Sequence, residues 1–433
     1  MKSSCLVLLC SIAIGFYSNA QSIDKIINVA EVKRIESILS ADSMQGRKAF
    51  TPAADKAAQF ISDEFKKIGL APLIGNTSYK QTFTMVSPKL ANISASVDGS
   101  VVEPKNIIPF TSSAELKITE KSGFTKVFLK QGANFRKEIG EYLTFKNNLV
   151  VLVDSSFSET FSRLNRMRQL LFKSEKSVVF VLGSFPANTF DISVNQELTE
   201  RQGSNVVGII PGKSKKVEMV IYSGHYDHLG IGKANGADSI YNGANDDASG
   251  ITAIIEMAKY YRVAKNNERT LIFAAFTAEE IGGYGSQYFS KQLDADKVVA
   301  MFNMEMIGTE SKWGKNSAYI TGFEKTDLGK TLQKNLQGSR FSFYPDPYTG
   351  QNLFYRSDNA TLARLGVPAH TISTSKMDNE PNYHKLSDEM NTLDLTNMTE
   401  IIKSVIVSAK SIVDGKDTPS RVKGDELTRT SNI

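Results

Sequence analysis

The sequence predicts an α/β fold: a mixed, mostly parallel sheet with helices on both faces, with a β-rich insertion ahead of a set of acidic and histidine motifs. Three observations predict it. Residues 25–70 show helical periodicity, residues 85–200 break into short β-rich runs, and from Asn205 onward strand-length apolar runs alternate with helical ones. Runs that are apolar on both faces and separated by helices imply a sheet covered on both sides.

The elements follow in chain order. Lys2, the apolar run Cys5 to Tyr17 and the small residues Ser18-Asn19-Ala20 predict an export signal over residues 1–20, cleaved before Gln21. The apolar run is too short to span a bilayer, so the expected protein is exported, periplasmic or extracellular, with no transmembrane segment in the mature chain. Ala57, Phe60, Ile61, Phe65 and Ile68 recur at helical spacing, and Gly69 ends that run. Within 85–199, Asn92–Val97, Leu149–Val153 and Val178–Leu182 read as strands, with an amphipathic stretch from Phe157 to Leu171 between the last two. Val206–Ile210, Val217–Ser223, Thr270–Phe276 and Val298–Met304 are further strands. Ser249 to Tyr261 carries Ile251, Ile254, Ile255 and Ala258 on one helical face, and Thr396 to Val413 is a closing helix. The expected domains are 21–84 with 200–415, the insertion 85–199, and a polar tail 416–433.

Composition excludes several functions. The net charge of +5 is mild, and the densest basic cluster is only Lys213, Lys215 and Lys216. A nucleic-acid partner is not expected. Both cysteines, Cys5 and Cys10, lie in the export signal. The mature chain would then have neither a disulfide nor a thiolate ligand, and any metal must be held by histidine and carboxylate.

Such residues occur in five ordered motifs: Gly224-His225-Tyr226-Asp227, Asn245-Asp246-Asp247-Ala248-Ser249-Gly250, Ala278-Glu279-Glu280, Asn303-Met304-Glu305-Met306 and Tyr383-His384-Lys385. His225 and Asp227 end a strand, where residues two apart face one side. An Asp so placed suits the second ring nitrogen of a metal-bound His, or is simply a polar strand end. Asp246 and Asp247 precede a helix, so either may cap it while the other faces a metal. Glu279 and Glu280 lie just past a buried strand, where sites form in α/β sheets; one can ligate while its neighbour acts as a base. Glu305 sits between two methionines, and burying it unpaired is costly. It therefore needs a cation or a route to solvent. His228 and His370 are expected to be polar core or cleft residues rather than ligands.

Together these motifs closely resemble metallopeptidase family twenty-eight of clan MH, over roughly residues 200–410. Ser357-Asp358 and Gly366-Val367-Pro368 agree with that resemblance. It implies the zinc-exopeptidase fold and two zinc ions per chain. Asp246 would bridge them, His384 and Glu280 would complete one, and His225 and Glu305 the other. Glu279 would be the general base and Asp227 the partner of His225. The family usually has Asp where this chain has Glu305; the extra methylene predicts a displaced carboxylate and a weaker second ion. Tyr355 lies nearest the family's oxyanion tyrosine, one residue out of register. The insertion resembles, more distantly, a reduced protease-associated domain.

Two divalent ions against Asp246, Glu280 and Glu305 leave one positive charge, which a hydroxide neutralises. The implied activity is a secreted aminopeptidase acting on peptides through a zinc-activated water. A glutaminyl cyclase-like acyltransferase on the same fold is the alternative. A non-catalytic module like the transferrin receptor ectodomain ranks third, because this chain keeps every ligand.

Overall fold

A computed structural model describes residues 23–73, 75–184 and 186–423. The expected export signal and the end of the polar tail lie outside the described residues. The chain divides into two compact units, one of residues 83–202 and the other of the chain on either side of it.

The larger unit holds the five motifs. Its longer helices are α1 (Val29–Leu39), α2 (Pro52–Ile68), α3 (Ser249–Ala264), α4 (Tyr284–Lys291), α5 (Leu328–Leu336) and α6 (Leu395–Val413). Its strands are β1 (Phe190–Ile210, entering this unit at Gly203), β2 (Lys215–His225), β3 (Arg269–Phe276), β4 (Val298–Met304), β5 (Ser317–Ile320), β6 (Ser342–Pro345) and β7 (Ala369–Ser373). The strand order is β6-β5-β7-β4-β2-β3-β1. Strand β2 runs parallel to both β3 and β4, and β4 runs parallel to β7, whereas β1 and β5 pair antiparallel with β3 and β7. The predicted mixed, mostly parallel sheet is present.

Both faces of this sheet are covered. On one side Val220, Tyr222, Leu271 and Phe273 pack with Ile61 and Phe65 of α2, Ile251 and Ile254 of α3, and Ile401 and Val405 of α6. On the other, Ile221, Ile272 and Met301 pack with Phe289 of α4 and Leu362. Strands β3 and β4 are buried at every position, which explains why their sequences show continuous apolar runs and not alternation. Each fully buried Ile, Phe or Leu contributes about 1.5–3 kcal/mol to this core.

The register puts the chemistry at one end of the sheet. His225 lies level with Phe276 and Ser223 with Asn303, so β2, β3 and β4 finish together. Glu279 and Glu280 then follow β3, and Glu305 follows β4 directly. This is the carboxyl edge, where α/β sheets place their ligands.

The smaller unit contains a four-stranded sheet in the order Ile107–Phe110, Val178–Leu182, Leu149–Val153, Thr125–Leu129. It also contains the helix Phe135–Thr144, capped where Asn134 accepts from Lys137 N at 3.1 Å. The amphipathic stretch after Phe157 forms two single-turn helices, Ser158–Phe161 and Leu164–Met167.

His370 is a fully buried core residue on β7. Its Nδ1–H donates to Thr321 O at 2.7 Å, and Nε2 accepts from Thr326 Oγ1 at 2.8 Å. Burial pushes its pKa down from 6.5 to about 4. Between these values the unfolded chain binds a proton that the folded chain refuses. The stability held above pH 6.5 is therefore lost as pH falls toward 4, by up to about 3 kcal/mol. Urea midpoints of metal-free protein between pH 7 and 4.5 should show this slope, and His370→Gln should flatten it by that amount.

Candidate metal centre

The metal-motif loops are anchored by Arg47. Its side chain is fully buried at the end of a short turn, Asp42–Arg47, between α1 and α2. Nε donates to Tyr226 O at 2.7 Å, Nη1 to Leu39 O at 2.7 Å and Asn242 O at 2.6 Å, and Nη2 to Gly243 O at 2.8 Å. One guanidinium thus fixes the backbone between His225 and Asp227 and the approach to Asp246. Sequence reading missed it, since three of its four partners are main-chain carbonyls about 180–200 positions away. Arg47→Lys keeps the charge but loses the planar fork. It should lower the unfolding free energy of metal-free protein by about 3 kcal/mol or more, read by urea titration.

The two adjacent aspartates divide their work. Asp247 Oδ1 accepts from Gly250 N and Met306 N, and Oδ2 from His225 N, each at 3.1 Å. It therefore caps α3 and ties the ends of β2 and β4 together. Asp246, joined to it by a cis peptide, turns into the site. Gly243 approaches at φ 57°, where an added Cβ would stand 2.3 Å from Asp246 O.

The five expected ligands converge around Asp246. His225 Nε2 lies 3.2 Å from Asp246 Oδ1 and 3.3 Å from Glu305 Oε1. His384 Nε2 lies 3.2 Å from both Asp246 Oδ2 and Glu280 Oε2. Tetrahedral bonds of roughly 2.0–2.1 Å to zinc would separate ligand atoms by roughly 3.3 Å. All four separations match that edge, so the residues fit two zinc ions sharing Asp246. His225 Nδ1 lies 3.0 Å from Asp227 O, a main-chain acceptor that places the proton on Nδ1 and leaves Nε2 free for a metal.

One expectation needs correction. The Asp227 carboxylate is 3.7 Å from His225 Nδ1, outside hydrogen-bond range, because the residue's own carbonyl takes that position. Asp227 Oδ1 instead accepts from Glu279 N at 3.1 Å. At Glu305, Ser357 Oγ donates to Oε2 at 2.5 Å, and Oε1 stands 3.3 Å from His225 Nε2. Tyr355 packs in the opposite core layer with Ala360 and Leu362, away from this centre. The tyrosines at the site are Tyr319 and Tyr383, and the Tyr383 ring stacks on His384 with centroids 3.9 Å apart.

The centre opens into a pocket of about 530 Å³. Among the described residues it is lined by Asp246, Glu279, Glu280 and Glu305, by Met306, Tyr319, Leu353 and Met377, and by Arg356, its one lysine or arginine. Burial pushes Glu279 well above the usual carboxylate range, and the Glu305 charge adds to that. Burial likewise raises Asp227 to about 7. Burial opposes ionisation of Asp246 too, but hydrogen bonds from His225 and His384 outweigh it and hold that carboxyl below its usual range.

The family model for peptidase family M28 matches residues 205–409. Among curated relatives, aminopeptidase YwaD of Bacillus subtilis is 22% identical over 424 residues, 91% of this chain and 87% of its own. Leucine aminopeptidase 1 of Trichophyton rubrum is 24% identical over 58% of this chain and 69% of its own. A vacuolar membrane protease of Schizosaccharomyces pombe is 29% identical over 34% of this chain, and the match spans 16% of that protein. Among solved structures, the aminopeptidase of Aneurinibacillus sp. strain AM-1 has a TM-score of 0.53 at 18% identity, covering 90% of this chain and 95% of its own. BSAP, a zinc aminopeptidase of Bacillus subtilis, has a TM-score of 0.53 at 16% identity, covering 92% and 98%. At these identities the two structures speak for the fold.

Proposed function

Residues 205–409 belong to peptidase family M28, and on that premise we propose that this chain is an exported zinc aminopeptidase, removing N-terminal residues from peptides. The observation that carries the proposal is the pair of ligand sets sharing Asp246, with Glu279 beside them. Two zinc ions, held by His225, Asp246 and Glu305 and by His384, Asp246 and Glu280, would supply Lewis acidity toward water and the scissile carbonyl.

The chain's own groups supply the rest. Glu279 is placed to take a proton from water and return it to the leaving amine. Asp227 holds the Glu279 main chain through the 3.1 Å bond to its N–H. Burial and the nearby carboxylates push the Tyr383 phenol above its ordinary range, so it stays a hydrogen-bond donor toward a carbonyl beside His384. Met306, Leu353 and Met377 among the lining residues suit an apolar side chain of the substrate. Paired ion sites favour this reading over a cyclase, for which one zinc suffices.

Mass analysis of products from a mixed peptide library tests it. Loss of N-terminal residues, abolished by a chelator and restored by zinc, is the expected result. Trimming from the C-terminus would overturn the aminopeptidase assignment, and ammonia release from N-terminal glutamine without hydrolysis would favour the cyclase. Export is tested by N-terminal sequencing, with Gln21 the expected first residue. No helix among the described residues is long and apolar enough to cross a membrane.

A further inference from the structure

We propose that His228 is a positioning residue for the site formed by Asp246, Glu280 and His384. Its Nδ1–H holds one oxygen of Glu280 aside, so that only the other faces the ion. This rests on the zinc reading above.

Distances separate His228 from the ligands. The four ligand-to-ligand separations are 3.2–3.3 Å. His228 Nδ1 stands 2.7 Å from Glu280 Oε1 and 4.0 Å from Asp246 Oδ2. The first is too short for the edge of a zinc tetrahedron and right for a charge-assisted hydrogen bond. The second is too long for such an edge. His228 thus bonds to the carboxylate and not to the ion. The two oxygens of Glu280 are divided, with Oε1 on His228 and Oε2 on His384.

The ring is locked in that role. Its side chain is fully buried, and Nε2 has no hydrogen-bond partner among the described residues, so Nδ1 carries the one bond the ring makes there. A Cβ at Gly243 would come within 2.5 Å of His228 Cγ, so the loop grips the ring closely. The ring also meets His384 edge-on, with centroids 5.8 Å apart. It therefore touches two of the three ligands of one ion. The other ion has a matching arrangement, because Ser357 Oγ holds Glu305 Oε2 while Oε1 faces His225. Each terminal glutamate is kept to a single ligating oxygen by one dedicated donor.

Calorimetric zinc titration of metal-free protein tests this, comparing wild type, His228→Phe and His228→Asn. All three should take up two ions. His228→Phe should weaken one of the two binding steps about 10–100-fold and leave the other within about twofold. His228→Asn, whose amide N–H falls near the place of Nδ1–H, should recover most of the loss. In a Glu280→Ala background, His228→Phe should add nothing. If His228→Phe does not fold, His228→Ala against His228→Asn makes the same comparison.

Uptake of one ion by the phenylalanine variant would make His228 a ligand and overturn the proposal. So would equal weakening of both steps, or a lowered metal-free melting temperature with unchanged affinities. A wild type that binds no zinc would overturn the metal reading itself, a result distinct from two normal ions in wild type and variants alike.

Discussion

Glu279→Gln is expected to keep two zinc ions at near-wild-type affinity and to lose turnover by about 10³-fold or more. The substitution conserves size and removes only the capacity to take up a proton. Glu279 is absent from both ligand sets, which run through His225, Asp246 and Glu305 and through His384, Asp246 and Glu280. Its raised pKa has burial as the first cause; His225 opposes the shift and the Glu305 charge adds to it. The metal complement should therefore survive the change. General acid–base groups contribute about 10²–10⁴-fold to rate, and here a single group is asked to serve both proton transfers. The loss should appear in kcat, with KM little altered, because an interaction made only in the transition state is removed. The required measurements are kcat and KM on a dipeptide amide, with zinc content determined on the same sample. Near-native kcat with full zinc content would remove Glu279 from the chemistry.

Much of this centre was legible in the sequence, because each motif sits where local rules place it. Leu149–Val153, Val178–Leu182 and Val298–Met304 were readable as strands to the residue, since continuous apolar runs bounded by polar turns leave little choice. The helix after Asp247 announced itself through its cap and its Ile251, Ile254 and Ile255 face. The short strands Ser317–Ile320 and Ser342–Pro345 were not read, having only four residues each and no alternation to mark them. Arg47 escaped for a different reason, as did the bond from His228, expected only as a polar core or cleft residue, to Glu280. Their partners are a set of carbonyls and a carboxylate brought close only by the fold, and neither spacing nor periodicity encodes that. Ser357 was noticed as part of a Ser-Asp pair, yet its task of turning Glu305 was visible only once β4 and the loop after Tyr355 were in place. The same contact holds Glu305 Oε2 while Oε1 stands 3.3 Å from His225 Nε2, and zinc titration decides whether the extra methylene weakens that ion.

Asp246→Asn is the second large effect, and it should strike both ions at once. Asp246 offers Oδ1 toward His225 and Oδ2 toward His384, each at 3.2 Å, so its carboxylate belongs to both ligand sets. The amide keeps one oxygen, loses the negative charge and turns an N–H₂ toward one of the two histidines. Loss of groups that merely orient a ligand weakens metal binding about 10–100-fold. Loss of a shared anionic ligand should exceed that, at about 10³-fold for each ion. Zinc-linked stability makes the difference large. At a free zinc concentration of about 1,000 times the wild-type Kd, each site adds roughly 4 kcal/mol to folding, and a Kd about 10³-fold weaker leaves roughly 0.4 kcal/mol. Two sites together should therefore fall from about 8 kcal/mol of zinc-dependent stabilisation to under about 1 kcal/mol. Glu305→Gln, which touches one set, should lose about half. Urea unfolding with and without zinc, run on wild type and both variants, separates the cases. A bridging role for Asp246 requires the asparagine variant to lose roughly twice what the glutamine variant loses. Equal losses in the two variants would mean that Asp246 serves one ion only.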